Sequence, residues 1–174
     1  MEIVAEQGFA EFSPDEVTAR AEVTRKLLYH HFPSGRADPV LAVAERAGHQ
    51  LTDEWIVGGP MDVQQRLAAN VGRIVEHAME PSPAWRIYRL ARAAPEQEIR
   101  ESVERFVEVV IESIASNHLS TTSPPLIVRL AIRGYLMFFE SMLDDARTTA
   151  VPLEAVLAVL NDTLAAAIAS ASAA

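Results

Sequence analysis

Hydrophobic positions recur at helical spacing along almost the whole chain, and no stretch alternates as a strand would. Prolines and glycines cut this pattern into pieces, at Pro14, Gly35, Pro39, Gly58-Gly59-Pro60, Pro81, Pro83, Pro95, Pro124-Pro125 and Pro152. Proline is tolerated in a first helical turn and breaks helix interiors, so these positions mark starts. The pieces read as about nine helices. The first ends near Gln7, with Gly8 as its cap. Two short ones follow at 14–21 and 24–31, with Ser13 and Thr24 as N-caps. Ser13 with Glu16 has the form of a capping box. Longer helices are predicted at 38–56, 62–79, 83–93, 95–116, 124–147 and 152–170, and the tail "SASAA" is expected to fray. The pattern predicts an all-α fold.

Three of the long helices show distinct faces. In the seventh, Ile99, Val103, Phe106, Val110 and Ile114 form one apolar line, with Glu101, Arg105, Glu108 and Glu112 opposite. In the eighth, Arg129, Arg133, Glu140, Asp144 and Arg147 share a stripe of roughly 60° at about 100° per residue. The rest of its circumference is apolar or small, so it should be covered on two sides. Leu130, Gly134 and Ser141 mark a side where another helix could approach. The ninth offers Leu153, Leu157, Leu160, Leu164 and Ile168 on one face. Two such helices suggest a homodimer through a four-helix bundle, and equally the core of a monomer.

The pair 14–21 and 24–31 is joined by Glu22-Val23 alone, the geometry of a helix-turn-helix whose second helix enters a major groove. Val17, Ala21 and Val23 would hold the pair together, and Leu27 and Leu28 would anchor the second helix, with Phe32 following. Arg25, Lys26, Tyr29 and His30 are then exposed. Each can bond phosphate, and the Arg, Lys or His can reach a base edge. The helix N-terminus adds a favourable dipole.

Charge narrows this picture. The 174 residues carry 24 acids against 15 bases, a formal net charge of −9, so nucleic-acid binding has to be local. Residues 1–50 hold eight acids and five bases. Cysteine is absent, which excludes disulfides and thiolate metal sites. The N-terminus lacks the basic and apolar regions of a signal peptide. The most apolar-looking stretch, "PPLIVRLAIRGYLMFFESML", carries Arg129, Arg133 and Glu140, so no membrane span is expected and a cytoplasmic protein is.

Other chemistry finds little support. His30 and His31 are adjacent on a helix, about 100° apart, and cannot easily share a metal. His31 is expected beneath the helix and His30 exposed. His49, His77 and His118 are isolated. No G-x-S-x-G, G-x-x-x-x-G-K-[ST] or G-x-G-x-x-G motif occurs. No catalytic residue, metal or cofactor is therefore assigned, and the chain is not read as an enzyme.

The stretch "VAEQGFAEFSPDEVTARAEVTRKLLYHHFPSGRADPVLAV" resembles the TetR (tetracycline-repressor-like) family of bacterial transcription regulators. "AEQGF", "V..RA.V" and "LYHHFPS" in that order carry the resemblance. "RLAIRGYLMFFESML" looks like the eighth helix of actinobacterial members. The resemblance implies an N-terminal three-helix helix-turn-helix domain over 1–37. It implies a six-helix ligand-binding and dimerisation domain over 38–174. It implies a homodimer that reads a palindromic double-stranded DNA operator, with half-sites roughly 34–36 Å apart. A small-molecule effector would release the DNA. Ser13, Thr24, Arg25, Lys26, Tyr29, His30 and Arg36 match the DNA-facing positions. Trp85, Tyr88, Phe106, Asn117, His118, Tyr135, Phe138, Phe139 and Met142 are the candidates for an effector pocket, which would favour a mostly apolar ligand. Aromatics at helical spacing also suit a plain core.

The chain departs from the family at four places. Glu22 replaces the usual turn glycine, Thr18 a usual alanine, and Gly35 a common phosphate-binding lysine, with Arg36 next to it as a substitute. The first helix is short and no basic arm precedes it, which reads as a truncated start or an ordered fragment. These departures motivate an alternative, a dimeric small-molecule binder or enzyme that has lost DNA binding.

Overall fold

A computed structural model describes residues 1–56, 61–79, 82–119, 121, 123–149 and 151–173. Among these residues nine helices and no strand are present: α1 (Glu2–Gln7), α2 (Pro14–Arg20), α3 (Arg25–His31), α4 (Ala37–Trp55), α5 (Val63–Met79), α6 (Pro83–Arg92), α7 (Gln97–Leu119), α8 (Leu126–Thr148) and α9 (Leu153–Ser172). The punctuation predicted from the prolines places every helix within about three residues. The expected fray at the C-terminus is a correction. Helix α9 runs to Ser172, whose hydroxyl donates to the Ile168 carbonyl at 2.8 Å.

The helices divide into two compact units, one of residues 1–51 with 81–106, the other of 52–80 with 107–174. The expected boundary at residue 37 therefore falls inside the first unit. Helices α4 and α7 contribute to both.

In the first unit, α1 packs on α6. Ile3 and Val4 are buried on α1, and Ala84, Trp85, Ile87, Tyr88 and Ala91 on α6. Helix α6 is started by Ser82, whose hydroxyl accepts from the Trp85 N–H at 3.2 Å, followed by Pro83 in the first turn. Gly8 ends α1 at φ 86°, a left-handed value that costs glycine nothing, and its N–H bonds the Val4 carbonyl. Arg105 of α7 reaches Glu45 of α4 at 2.8 Å.

In the second unit, α8 and α9 form the most extensive helix pair, and α5 packs on both. Val156, Leu160, Leu164 and Ile168 make a straight buried stripe on α9, at i, i+4, i+8 and i+12. Val128, Ile132, Tyr135, Phe139 and Leu143 are buried on α8. The polar stripe of α8 is partly covered too. Arg129 and Arg133 converge on one carboxylate, Glu108 of α7, the latter at 2.5 Å, and Glu140 is buried.

Candidate functional site

The α2–α3 pair is built around its turn. Val23 donates to the Thr18 carbonyl at 3.0 Å and Glu22 to the Ala19 carbonyl at 3.4 Å. These are the two bonds of a Schellman ending, which closes a helix by putting one residue in the left-handed region. That residue is Glu22, at φ 53°. Among the described residues it is the only non-glycine with positive φ. A side chain there costs roughly 1 kcal/mol relative to glycine. Thr18, buried beneath the turn, donates its hydroxyl back to the Asp15 carbonyl at 3.0 Å.

Helix α3 then begins at Thr24, whose hydroxyl accepts from the Leu27 N–H at 3.2 Å. This fixes the first turn and frees the side chains after it. Arg25, Lys26, Tyr29 and His30 are exposed, as expected. One anchor replaces the expected two. Leu28 is 8% exposed but Leu27 is 44% exposed, because adjacent residues on a helix point about 100° apart and a seven-residue helix has one buried line. His31 is exposed as well, not tucked beneath the helix, and its ring lies edge-on to His30 with centroids 5.4 Å apart. Ala21 is exposed, while Val17 and Val23 are half-buried.

Three further groups differ from expectation. Ser13 caps α2 by its extended backbone (φ −117°), without a side-chain bond, so no capping box forms. Its intended partner Glu16 instead pairs with Arg20 at 2.9 Å and accepts from Gln7 at 3.1 Å. Arg20 also reaches Glu6 at 3.1 Å, so α1 is stapled to α2 through charged side chains. Arg25 pairs with Asp15 of α2, its Nε and Nη2 both directed at one carboxylate oxygen. The pair raises the already high pKa of the guanidinium through its hydrogen bond and its charge. Arg36, though exposed, folds back on the loop between α1 and α2, donating to the carbonyls of Phe9 at 2.5 Å, Ala10 at 2.7 Å and Phe12 at 3.2 Å. A guanidinium whose donors are taken by carbonyls has few left for phosphate. An open cleft of about 540 Å³ also lies in this unit, lined by Ile3, Phe12, Val17, Leu28, Phe32 and Val43 among others.

The aromatic candidates fall into two groups. Trp85, Tyr88 and Phe106 are buried in the first unit, with centroids 5.4 Å apart for the first two and 5.3 Å for the last two. Tyr135 and Phe139 are buried in the second, 6.0 Å apart. Asn117 and Met142 are half-buried there, and the side chain of His118 lies outside the described residues. Phe138 is a correction. It is 40% exposed on the outer face of α8, because Phe139 beside it takes the inward position. Tyr135 is only 5% exposed, and its hydroxyl has no hydrogen-bond partner among the described residues. Burial raises its pKa above the usual phenol range.

The dimer candidates also separate. Leu130 (54% exposed), Gly134 and Ser141 lie on an open face of α8, with space around a Cβ built at Gly134. Leu126, Ile127 and Met137 extend that face and were not anticipated. Their signal was in the sequence, as apolar positions outside the inward line. On α9, Leu153 is exposed and Leu157 half-buried, whereas Leu160 and Leu164 are fully buried within the chain. The last two pack in the buried stripe of the second unit, so Val159 and neighbouring alanines form the outer face instead. Among the described residues α9 alone is long and apolar enough to cross a membrane. No group of three His, Asp or Glu side chains converges there as a metal site.

Compared with known proteins, residues 1–37 match the family model of bacterial regulatory proteins, tetR family. No curated protein sequence matches the chain. Among solved structures, the chain is similar to a tetR-family transcriptional regulator from Streptomyces coelicolor, with a TM-score of 0.74 and 24% identity over 98% of this chain and 77% of that one. It is also similar to a TetR-like transcriptional regulator from Rhodococcus sp. RHA1, with a TM-score of 0.69 and 19% identity over 97% of this chain and 90% of the other. At these identities the likeness is one of fold.

Proposed function

We propose, from the chain's membership of the TetR family of bacterial transcription regulators, that it is a ligand-responsive repressor acting as a homodimer in the cytoplasm. It would hold a palindromic operator through α3 and release it when a small molecule binds. The observation that carries this reading is helix α3 itself. One leucine anchors it, Thr24 caps its start, and Arg25, Lys26, Tyr29 and His30 are presented to solvent. That set suits a helix lying in a major groove, with the cationic side chains for phosphates and guanine edges. It acts by binding, without catalysis.

The open faces of α8 and α9 support the dimer. An apolar band with a gap at Gly134 would be covered by the same band of a second copy. Lipid is a poorer occupant for α9, since Asp162 is exposed halfway along it. The unpartnered Tyr135 hydroxyl supports an effector that is largely apolar and carries one hydrogen-bonding group.

The test is binding of the intact protein to a duplex from upstream of its own gene, followed by fluorescence anisotropy. Nanomolar binding that weakens with salt and with Tyr29→Ala is expected. A well-folded protein with no preference for that duplex, or for one from a divergently transcribed neighbour, would sink the reading. The alternative of a small-molecule binder without DNA function rests on Glu22, and gains if Glu22→Gly also leaves the protein unable to bind.

A further inference from the structure

The proposed function does not absorb the charge arrangement beside α3. Between Ser13 and Pro33 three acids (Asp15, Glu16, Glu22) balance three bases (Arg20, Arg25, Lys26), so a segment expected to meet a polyanion is net neutral. Arg20 is taken up by Glu6 and Glu16. Arg25, at the first position of α3, is taken up by Asp15 from the first turn of α2. Both side chains of this second pair are about 61% exposed. Exposed pairs contribute little to stability, so the pair's consequence lies in what Arg25 can do.

To touch DNA, the guanidinium has to leave Asp15. If it meets only a phosphate, one anion replaces another, and the abandoned carboxylate then faces the backbone uncompensated. A guanine edge leaves the same carboxylate behind but supplies two directed hydrogen bonds at O6 and N7 that a lone phosphate contact does not. The exchange is therefore more favourable on the right base than on arbitrary DNA.

We propose that Asp15 is a specificity-determining residue: it holds Arg25 off phosphates and gives it up only to a base, which suppresses binding to non-cognate DNA. This rests on the DNA-binding reading above. Among the described residues no other carboxylate is paired with Arg25.

The experiment compares the intact protein with Asp15→Asn, Asp15→Glu, Arg25→Ala and the double variant Asp15→Asn/Arg25→Ala. Each is titrated by anisotropy against the upstream duplex and a scrambled duplex of equal length, across a range of salt. Asp15→Asn is expected to tighten scrambled-duplex binding by up to about fivefold and to steepen its salt slope by about one ion. Binding to the upstream duplex should change by less than about threefold, so selectivity falls. Asp15→Glu, which keeps the carboxylate, should retain selectivity. In the Arg25→Ala background the Asp15→Asn effect should vanish, which separates the pair from a general loss of negative charge. Equal tightening on both duplexes, or an effect that persists without Arg25, overturns the proposal. A selective wild type with unchanged selectivity in Asp15→Asn overturns this inference alone. Failure of every variant to bind either duplex overturns it together with the DNA-binding reading.

Discussion

The α2–α3 pair and the α8–α9 pair are each two helices joined by a short link, and they solve opposite problems. The first has too little apolar surface. Thr18 and Leu28 are its buried contributions, so its geometry depends on backbone bonds at the turn, a hydroxyl cap and an ion pair and a hydrogen bond to α1. The second has more apolar surface than one protomer can hide. After burying Leu143, Leu160 and Leu164 it still shows Leu130, Phe138 and Val159. A reader of DNA needs exposed polar side chains on a scaffold that does not aggregate. A helix pair proposed to meet a second copy needs the reverse.

The comparison can be broken most forcefully at the open face of α8. Leu130→Glu with Phe138→Glu should convert a dimer wholly into folded monomer, seen by sedimentation at unchanged helicity. A persisting dimer would place the interface elsewhere. Next in size, Leu160→Ala should cost about 2–5 kcal/mol in denaturant unfolding, because it empties a fully buried position. Its neighbour Val159→Ala should leave protomer stability within about 0.5 kcal/mol. A smaller effect belongs to the turn. Glu22→Gly should stabilise by about 1 kcal/mol by relieving φ 53°, and should tighten DNA binding several-fold by removing a carboxylate beside phosphate. The smallest is Leu27→Ala, expected within about 0.5 kcal/mol, while Leu28→Ala should cost about 2 kcal/mol or more. Equal losses at Leu27 and Leu28 would mean that α3 is turned on its axis.

Helix number, helix limits and the cap at Thr24 were legible in the sequence, because proline, glycine and threonine act through their own covalent chemistry. Which side of a helix faces in was legible only where the pattern had contrast. Helix α3 is too short to distinguish Leu27 from Leu28 by period. Helix α9 is apolar nearly all round, so Leu160 and Val159 look alike until packing chooses. The charged side chains were hardest to read. Arg25 and Arg36 both read in the sequence as cations for DNA, yet Asp15 claims one and three backbone carbonyls the other. Partners so placed come from residues 10 to 27 positions away, and local pattern does not encode them.

The stretch "PSGR" ahead of α4 reads as a loose linker, a natural place for one part of a switch to swing against another. The bonds of Arg36 deny it that freedom. They fasten the residue just before α4 to the backbone that leads into α2, while Asp38 in the first turn of α4 accepts from the Ser34 N–H at 2.8 Å. So tied, the start of α4 and the loop between α1 and α2 are expected to move as one, and Arg36→Ala should leave helicity unchanged while speeding amide exchange over residues 33–38.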